Sequence, residues 1–237
     1  MRTIIISFLL LCLHAEGWTE SQNTLFVSLG SHCNVASVLR NCKLRHAAFP
    51  FDWMTSFDGD GLIEAMRDDF LGLFETDSFS PVVLSHRLRN NRYCFEFPHD
   101  GCFSEESYKE DFDRFKSKYQ NRVNRFKQLN DCGRKVYFIR EAILGNYDEF
   151  EPYPFSEKCR KISDEFAICL YREIQIKFPA LDAYLIIINH EDGPVFEFNK
   201  VIDERIFFIK TNPKLDDEEL TLEYRIFFNC LINCLKL

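Results

Sequence analysis

The sequence lacks the short motifs of the commonest nucleotide-dependent and metal-dependent enzymes. It contains no GxGxxG, no GxxxxGK[ST], no HExxH and no CxxC. Those patterns supply the phosphate-binding loops and metal ligands of their classes. Cys230 and Cys234 lie four residues apart, but no histidine or acidic residue near them would complete a zinc site. We therefore predict that the protein uses no cofactor and no metal.

Positive charge and long apolar runs are also scarce. The chain has 29 Lys and Arg against 37 Asp and Glu, which gives a formal net charge of -8. Nucleic-acid backbones are bound by basic surfaces, so we predict no nucleic-acid partner. The apolar run at residues 4–13 is shorter than the roughly 20 residues of a membrane-spanning helix, and no later run is both long and uncharged. We predict no integral membrane span.

The amino terminus has the three parts of a secretory signal peptide. Arg2 precedes the apolar run, and the small-residue pattern AEG at residues 15–17 precedes Trp18. This order of a positive charge, a short apolar stretch and small residues predicts cleavage after Gly17. We expect residues 1–17 to be removed and the mature protein to be secreted or otherwise extracytoplasmic.

The rest of the chain, residues 18–237, has the pattern of one α/β domain. Apolar runs without strict alternation predict strands covered on both faces, and they lie at 25–29, 136–139, 183–188 and 206–209. The segment 93–97 alternates between apolar and polar residues, as an edge strand would. Apolar residues at helical spacing predict helices between them, at 60–74, from 104 to before Gly133, at 156–178 and at 216–236. The alternation predicts a layered sandwich with a mainly parallel central sheet flanked by helices.

Ten cysteines are present, and Cys12 falls in the predicted signal peptide. Nine then remain, so at least one thiol is unpaired in a monomer. Cys33 stands out because the sequence VSLGSHC at residues 27–33 reads as a strand, a tight glycine turn and the start of a helix. Free N–H groups in a first helical turn lower a thiol pKa and can hold an oxyanion. The alternative is a buried cysteine that packs under the sheet.

A nucleophilic cysteine needs a base, and two histidines have positions that suit this role. His32 adjoins Cys33, but consecutive helical side chains point about 100° apart, so it would have difficulty reaching the sulfur. His99 follows the predicted strand at 93–97, and His190 follows the predicted strand at 183–188. The sequence alone leaves both His99 and His190 open.

Several segments together resemble the DUF1796 family, whose name describes papain-like cysteine peptidases. They are VSLGSHC at 27–33, LR at 39–40 and 44–45, FPFDW at 49–53, FPHD at 97–100, KYQNRVNRF at 118–126 and VYFIR at 136–140. The resemblance implies Cys33 as nucleophile, His99 as base, and Asp100 or Asp52 as the carboxylate that orients the base. Asn121 and Gly101 depart from the pattern, where an arginine and an aromatic residue are expected.

Three further residues are candidates for substrate binding. Arg140 ends a predicted strand, where a cation can bind a carboxylate or phosphate, and Ser31 and Trp53 lie in the segments of the resemblance. The papain name implies a helix packed on an antiparallel barrel, whereas the strand pattern here predicts parallel strands.

The first hypothesis for function is a thiol hydrolase that uses Cys33 on a peptide or other amide bond. An acyl or thioester hydrolase or transferase with the same cysteine is the nearest chemical alternative. A third hypothesis is a secreted, non-enzymatic protein that binds an acidic or glycan ligand through Arg140 and residues 49–53. A reactive Cys33 favours the enzyme, and an inert one favours the binding protein. The sequence leaves the oligomeric state open.

Overall fold

A computed structural model of the chain describes residues 23–56, 59–82, 87–100, 108–143, 161–190, 197–211, 224 and 226–228. In chain order the nine strands of this described part are β1 (Thr24–Ser28), β2 (Thr55–Ser56), β3 (Phe79–Val82), β4 (Arg87–Asn90), β5 (Phe95–Phe97), β6 (Lys135–Glu141), β7 (Asp182–His190), β8 (Glu197–Ile202) and β9 (Ile206–Thr211). The principal helices are α1 (Asn34–Asn41), α2 (Gly59–Arg67), α3 (Tyr108–Lys127) and α4 (Asp164–Lys177).

The larger sheet has five strands in the order β1-β6-β7-β9-β8. Neighbours among β1, β6, β7 and β9 pair in parallel, while β8 pairs antiparallel with β9. The four parallel strands are the four apolar runs identified in the sequence. The predicted layered α/β fold with a mainly parallel central sheet and flanking helices is therefore confirmed.

A second, four-stranded sheet has the order β2-β5-β4-β3 and is antiparallel throughout. The predicted edge strand at 93–97 belongs to this sheet as β5, and it lies between β2 and β4 instead of at an edge. Its partners escaped sequence analysis because β2 has two residues and β4 is the polar segment Arg87–Asn90.

The helices begin or end at different residues from those predicted, for local reasons. The predicted helix at 60–74 ends at Arg67 because Asp69 and Phe70 adopt positive φ angles of 62° and 66°. The helix predicted at 156–178 begins only after Ser163, whose hydroxyl accepts a hydrogen bond from the N–H of Phe166 at 3.3 Å. The predicted start at 104 lies outside the described residues, as does most of the predicted helix at 216–236.

The larger sheet separates two apolar layers. On one face α1 packs with the helical residues Tyr224 and Phe228 over alternate side chains of β6 and β7. On the other face α2, α3, α4 and the smaller sheet share one extended core rich in phenylalanine. Within the described ranges, no helix is long and apolar enough to cross a membrane.

Candidate active site

The turn between β1 and α1 has a backbone that glycine favours. Gly30 and Ser31 have φ angles of +78° and +79°, so two consecutive residues lie in the left-handed region. Ser31 is held there on three sides: its hydroxyl donates to the carbonyl of Glu141, its N–H donates to Ser56 Oγ at 3.3 Å, and its carbonyl accepts from the Ser56 N–H at 2.9 Å. These bonds fix the turn that carries Cys33.

Arg140 also stabilises this turn. Its side chain is buried, and Nη1 donates to the carbonyl of Leu29 at 2.9 Å and to the hydroxyl of Ser56. Nη2 donates to the carbonyl of Ser56 at 3.1 Å. The guanidinium, which the sequence predicts to bind substrate, thus links the residue after β1 to β2.

Cys33 is a free, partly exposed thiol at the N-cap of α1. Burial raises the pKa of the Cys33 thiol and the nearby Glu141 carboxylate raises it further, while the cysteine's own backbone N–H lowers it. The net direction is upward, so the predicted lowering of this pKa is wrong. Cys33 lies at the start of a helix as predicted, but burial raises the pKa of its thiol more than the helix start lowers it.

Glu141, the last residue of β6, is the centre of a buried polar cluster beside Cys33. Its carboxylate accepts hydrogen bonds from Asn34 Nδ2 at 3.1 Å and from the hydroxyl of Tyr224. His190 Nε2 lies 3.3 Å from one carboxylate oxygen, and His32 Nε2 lies 3.9 Å from the other. Two histidines, an amide and a phenol thus surround one buried carboxylate.

Strand geometry explains why these groups meet. Successive side chains on a strand alternate between faces, so Glu141 shares the face of Ile139, and His190 shares the face of Ile188. β6 and β7 are parallel neighbours, so their last residues lie at one edge of the sheet. Cys33 lies at this edge too, because β1 pairs with β6 on its other side.

The two histidines of the cluster differ in the hydrogen bonding of their Nδ1 atoms. His32 Nδ1 accepts the backbone N–H of Asn34 at 3.0 Å, so this nitrogen is occupied in the first turn of α1. The His190 side chain is 5% exposed, and its Nδ1 has no hydrogen-bond partner among the described residues. His190 therefore has Nε2 on the carboxylate side and a buried Nδ1 without a partner in the described part of the chain.

The charges of this cluster are set by competing effects. Burial alone would raise the pKa of Glu141, but the contacts of His190, His32 and Tyr224 hold it below its usual range, so this buried group is ionised. Burial lowers the pKa of His32. In the described ranges no set of three His, Cys, Asp or Glu residues is arranged to hold a metal ion.

The structure places His99 and Asp100 in different surroundings from this cluster. His99 is exposed, and its ring lies edge-to-face on Trp53 with ring centres 5.8 Å apart. Asp100 accepts a hydrogen bond from the Tyr119 hydroxyl at 3.0 Å and forms an ion pair with Lys118. The carboxylate implied as the partner of His99 is thus bound to α3.

Asp52 and Trp53 also have firm contacts of their own. Asp52 is buried and accepts from Arg45 Nε and Nη2 at 3.0 and 2.8 Å and from the Phe49 N–H at 3.0 Å. Trp53 lies under two guanidinium groups, those of Arg40 and Arg45, at 5.2 and 5.3 Å from its ring centre. Asp52 holds the loop at 49–53 together, and Trp53 stacks with cations beside it.

The site contains residues that sequence analysis missed. Glu141 directly follows Arg140 at a strand end, which was a usable signal, and Asn34 directly follows Cys33. Tyr224 had no local signal, because only the tertiary fold brings its hydroxyl to Glu141.

The fold and site define a class: an α/β protein with a free thiol where a strand turns into a helix, beside a buried carboxylate and histidines. The family described as "Putative papain-like cysteine peptidase (DUF1796)" matches residues 24–193, and the chain belongs to this family. An uncharacterised protein of Acanthamoeba polyphaga mimivirus is 28% identical over 213 residues, which cover 80% of this chain and 88% of the relative. No solved structure matches the chain.

Proposed function

We propose that the protein is a thiol hydrolase that acts on an amide or other acyl bond, with Cys33 as nucleophile and His190 as base. The observation that carries the proposal is the shared neighbour Glu141, which contacts His190 at 3.3 Å and raises the pKa of Cys33 by its charge. In nucleophilic catalysis a third group, commonly a carboxylate, orients the histidine that activates the nucleophile, and Glu141 is placed to do this for His190. The family name and the turn geometry support the same reading.

The proposed reaction has two steps. His190 Nδ1 accepts the Cys33 proton as the sulfur attacks the carbonyl carbon, and the backbone N–H of Cys33 supplies a donor for the oxyanion. A carbon–sulfur bond forms, the bond to the leaving nitrogen or oxygen breaks, and His190 returns the proton to the leaving group. Water, deprotonated by His190, then hydrolyses the thioester and restores the thiol.

The acid–base partner is proposed to be His190 in preference to His99. His190 lies at the strand edge that also carries Cys33 and contacts a buried, ionised carboxylate. His99 is exposed against Trp53, and its neighbour Asp100 is bound to Lys118 and Tyr119.

Acylation by p-nitrophenyl acetate at pH 7 tests this proposal. We expect an acetyl group on Cys33, detected by mass spectrometry, and a matching burst of p-nitrophenolate. Cys33→Ala should abolish both signals, and His190→Ala should slow acylation at least about 10²-fold, whereas His99→Ala should leave the rate unchanged. Acylation of other thiols alone would contradict Cys33 as nucleophile, and a large effect of His99→Ala would make His99 the base.

A binding function is the second candidate, and the surroundings of Trp53 favour it. Arg40 and Arg45 bring two guanidinium groups to one partly buried indole in a protein of net charge -8. Arg45 is already paired with Asp52, so the exposed guanidinium of Arg40 is the group that can bind an acidic ligand such as a charged glycan. If acylation at Cys33 fails, this surface becomes the better starting point.

We also propose that the protein is exported after removal of residues 1–17. The raised pKa and partial burial of Cys33 suit an oxidising compartment, because the thiolate is the form that oxidises readily. N-terminal sequencing of protein collected from the medium of cells expressing the full chain should begin at Trp18. Retention in the cells with Met1 or residue 2 at the terminus would contradict export.

A further inference from the structure

A pocket of about 340 Å³ borders the turn that carries Cys33. It is bounded by the turn itself, by the start of α2 and by the start of α4. Ser31 and Arg140 form its wall on the sheet side, and Ile63, Ile162, Phe166 and Cys169 line it on the helix side. Its volume is at the lower end of the roughly 300–1,000 Å³ of small-molecule sites, which suits one side chain better than an extended ligand.

The pocket borders the turn that carries the thiol. Ser31 belongs to the pocket wall and precedes Cys33 by two residues, and two residues of chain span at most about 7 Å. A group seated in the pocket would therefore lie close to the turn that carries Cys33.

The chemistry of the walls selects the group that fits. Ile63 and Ile162 are buried apolar side chains, and Phe166 packs against the same core. The polar wall residues are engaged within the protein: the Ser31 hydroxyl donates to the Glu141 carbonyl, and Arg140 donates to Leu29. The inner pocket thus offers apolar contact.

Charged groups lie where the pocket meets solvent. Asp60, Lys161 and Glu165 are exposed lining residues. A polar chain that leaves the pocket would meet these side chains, whereas a charged group placed inside would lose its hydration against Ile63 and Phe166.

We propose that this pocket binds an apolar side chain or a short acyl chain attached to the carbonyl that Cys33 attacks. The inference rests on the proposed thiol-hydrolase function and adds the substrate class: acyl groups that carry one apolar substituent. Side chains and acyl chains share this chemistry, and the experiment separates them.

The first arm measures acylation of Cys33 by p-nitrophenyl esters. One series runs from acetate to hexanoate, and a second compares N-acetylglycine with N-acetylphenylalanine. We expect each added methylene to raise the acylation rate about fourfold in the preferred series, until the pocket is full. Ile63→Trp should remove this gain, while Ile176→Trp, at a side chain that is 67% exposed on α4, should change neither the gain nor the rate with acetate.

The second arm measures binding without catalysis. In the Cys33→Ala protein, hexanamide and N-acetylphenylalaninamide are tested for protection of Cys169 against iodoacetamide, with the partly exposed Cys132 as an internal reference. We expect at least one probe to slow modification of Cys169 severalfold and to leave Cys132 unchanged. This arm also keeps the test valid if the Ile63→Trp protein does not fold.

The outcomes separate this inference from the function beneath it. If all esters acylate Cys33 at equal rates and Cys169 stays unprotected, the proposed binding role of the pocket is overturned. The hydrolase proposal would still stand. Protection of Cys169 without any acylation of Cys33 would overturn the link between pocket and thiol together with the hydrolase proposal. Length-dependent acylation with protection of Cys169 supports both.

Discussion

Glu141→Gln is expected to slow acylation of Cys33 about 10²- to 10⁴-fold while making the same thiol easier to alkylate at neutral pH. The two effects have opposite signs because the carboxylate acts on two neighbours. It contacts His190 at 3.3 Å, and its negative charge raises the pKa of Cys33. Such a split would identify Glu141 as a residue that positions the base.

The loss of acylation follows from the contact between Glu141 and His190. A neutral amide no longer attracts the imidazolium that forms when the base accepts a proton, and its NH₂ group faces the donors of Asn34 and Tyr224. The gain in alkylation follows from the thiol. Removing a nearby negative charge lowers the pKa of Cys33, so the thiolate fraction at neutral pH rises.

Two measurements check this prediction on the same preparation. Acylation by p-nitrophenyl acetate gives the first rate, and the pH profile of iodoacetamide alkylation at Cys33 gives the second. Tyr224→Phe is the matched control, because it removes a hydrogen bond to Glu141 and retains the charge. It should leave the midpoint of the alkylation profile near that of the parent protein. A Glu141→Gln profile that moves to higher pH would contradict the argument.

The main sheet was predictable from the sequence because its four parallel strands are buried on both faces. Such strands are continuous apolar runs, and 183–188 shows this most clearly within β7, whose residues from Leu185 to Asn189 are all buried. β2 and β4 carry no such signal, since one has two residues and the other is mostly polar. Their pairing with β5 depends on contacts distant in sequence.

The candidate site was predictable only in part, for a similar reason. Cys33 has a local signature of strand, glycine turn and helix, and the sequence shows it directly. The partnership of Glu141 with His190 depends on β6 and β7 being neighbours in register, with Glu141 paired to Ile188. Arg140 ends a strand as the pattern indicates, whereas its burial and its bonds to Leu29 and Ser56 depend on the tertiary fold.

Phe126→Ala is expected to lower the free energy of unfolding by about 3–5 kcal/mol, which is the range for removing a fully buried phenylalanine. The Phe126 side chain in α3 is fully buried at the centre of an aromatic cluster. Its ring centre lies 5.1 to 6.4 Å from five other rings, those of Phe178, Phe51, Phe70, Phe138 and Phe49. The cavity left by alanine would remove contacts with two loops and the sheet together.

Phe126→Ala should affect the candidate active site as well as the stability. Phe49 and Phe51 lie just before Asp52 in the loop that continues into β2, where Ser56 hydrogen-bonds Ser31 in the turn before Cys33. Denaturant unfolding measures the stability, and alkylation of Cys33 under native conditions reports whether the turn has loosened. Ile176→Ala is the control, since this side chain is 67% exposed and should change stability by no more than about 0.5 kcal/mol. Equal effects of the two substitutions would contradict the central role of Phe126, and an unchanged Cys33 reactivity would show that the loop holds the turn without the aromatic core.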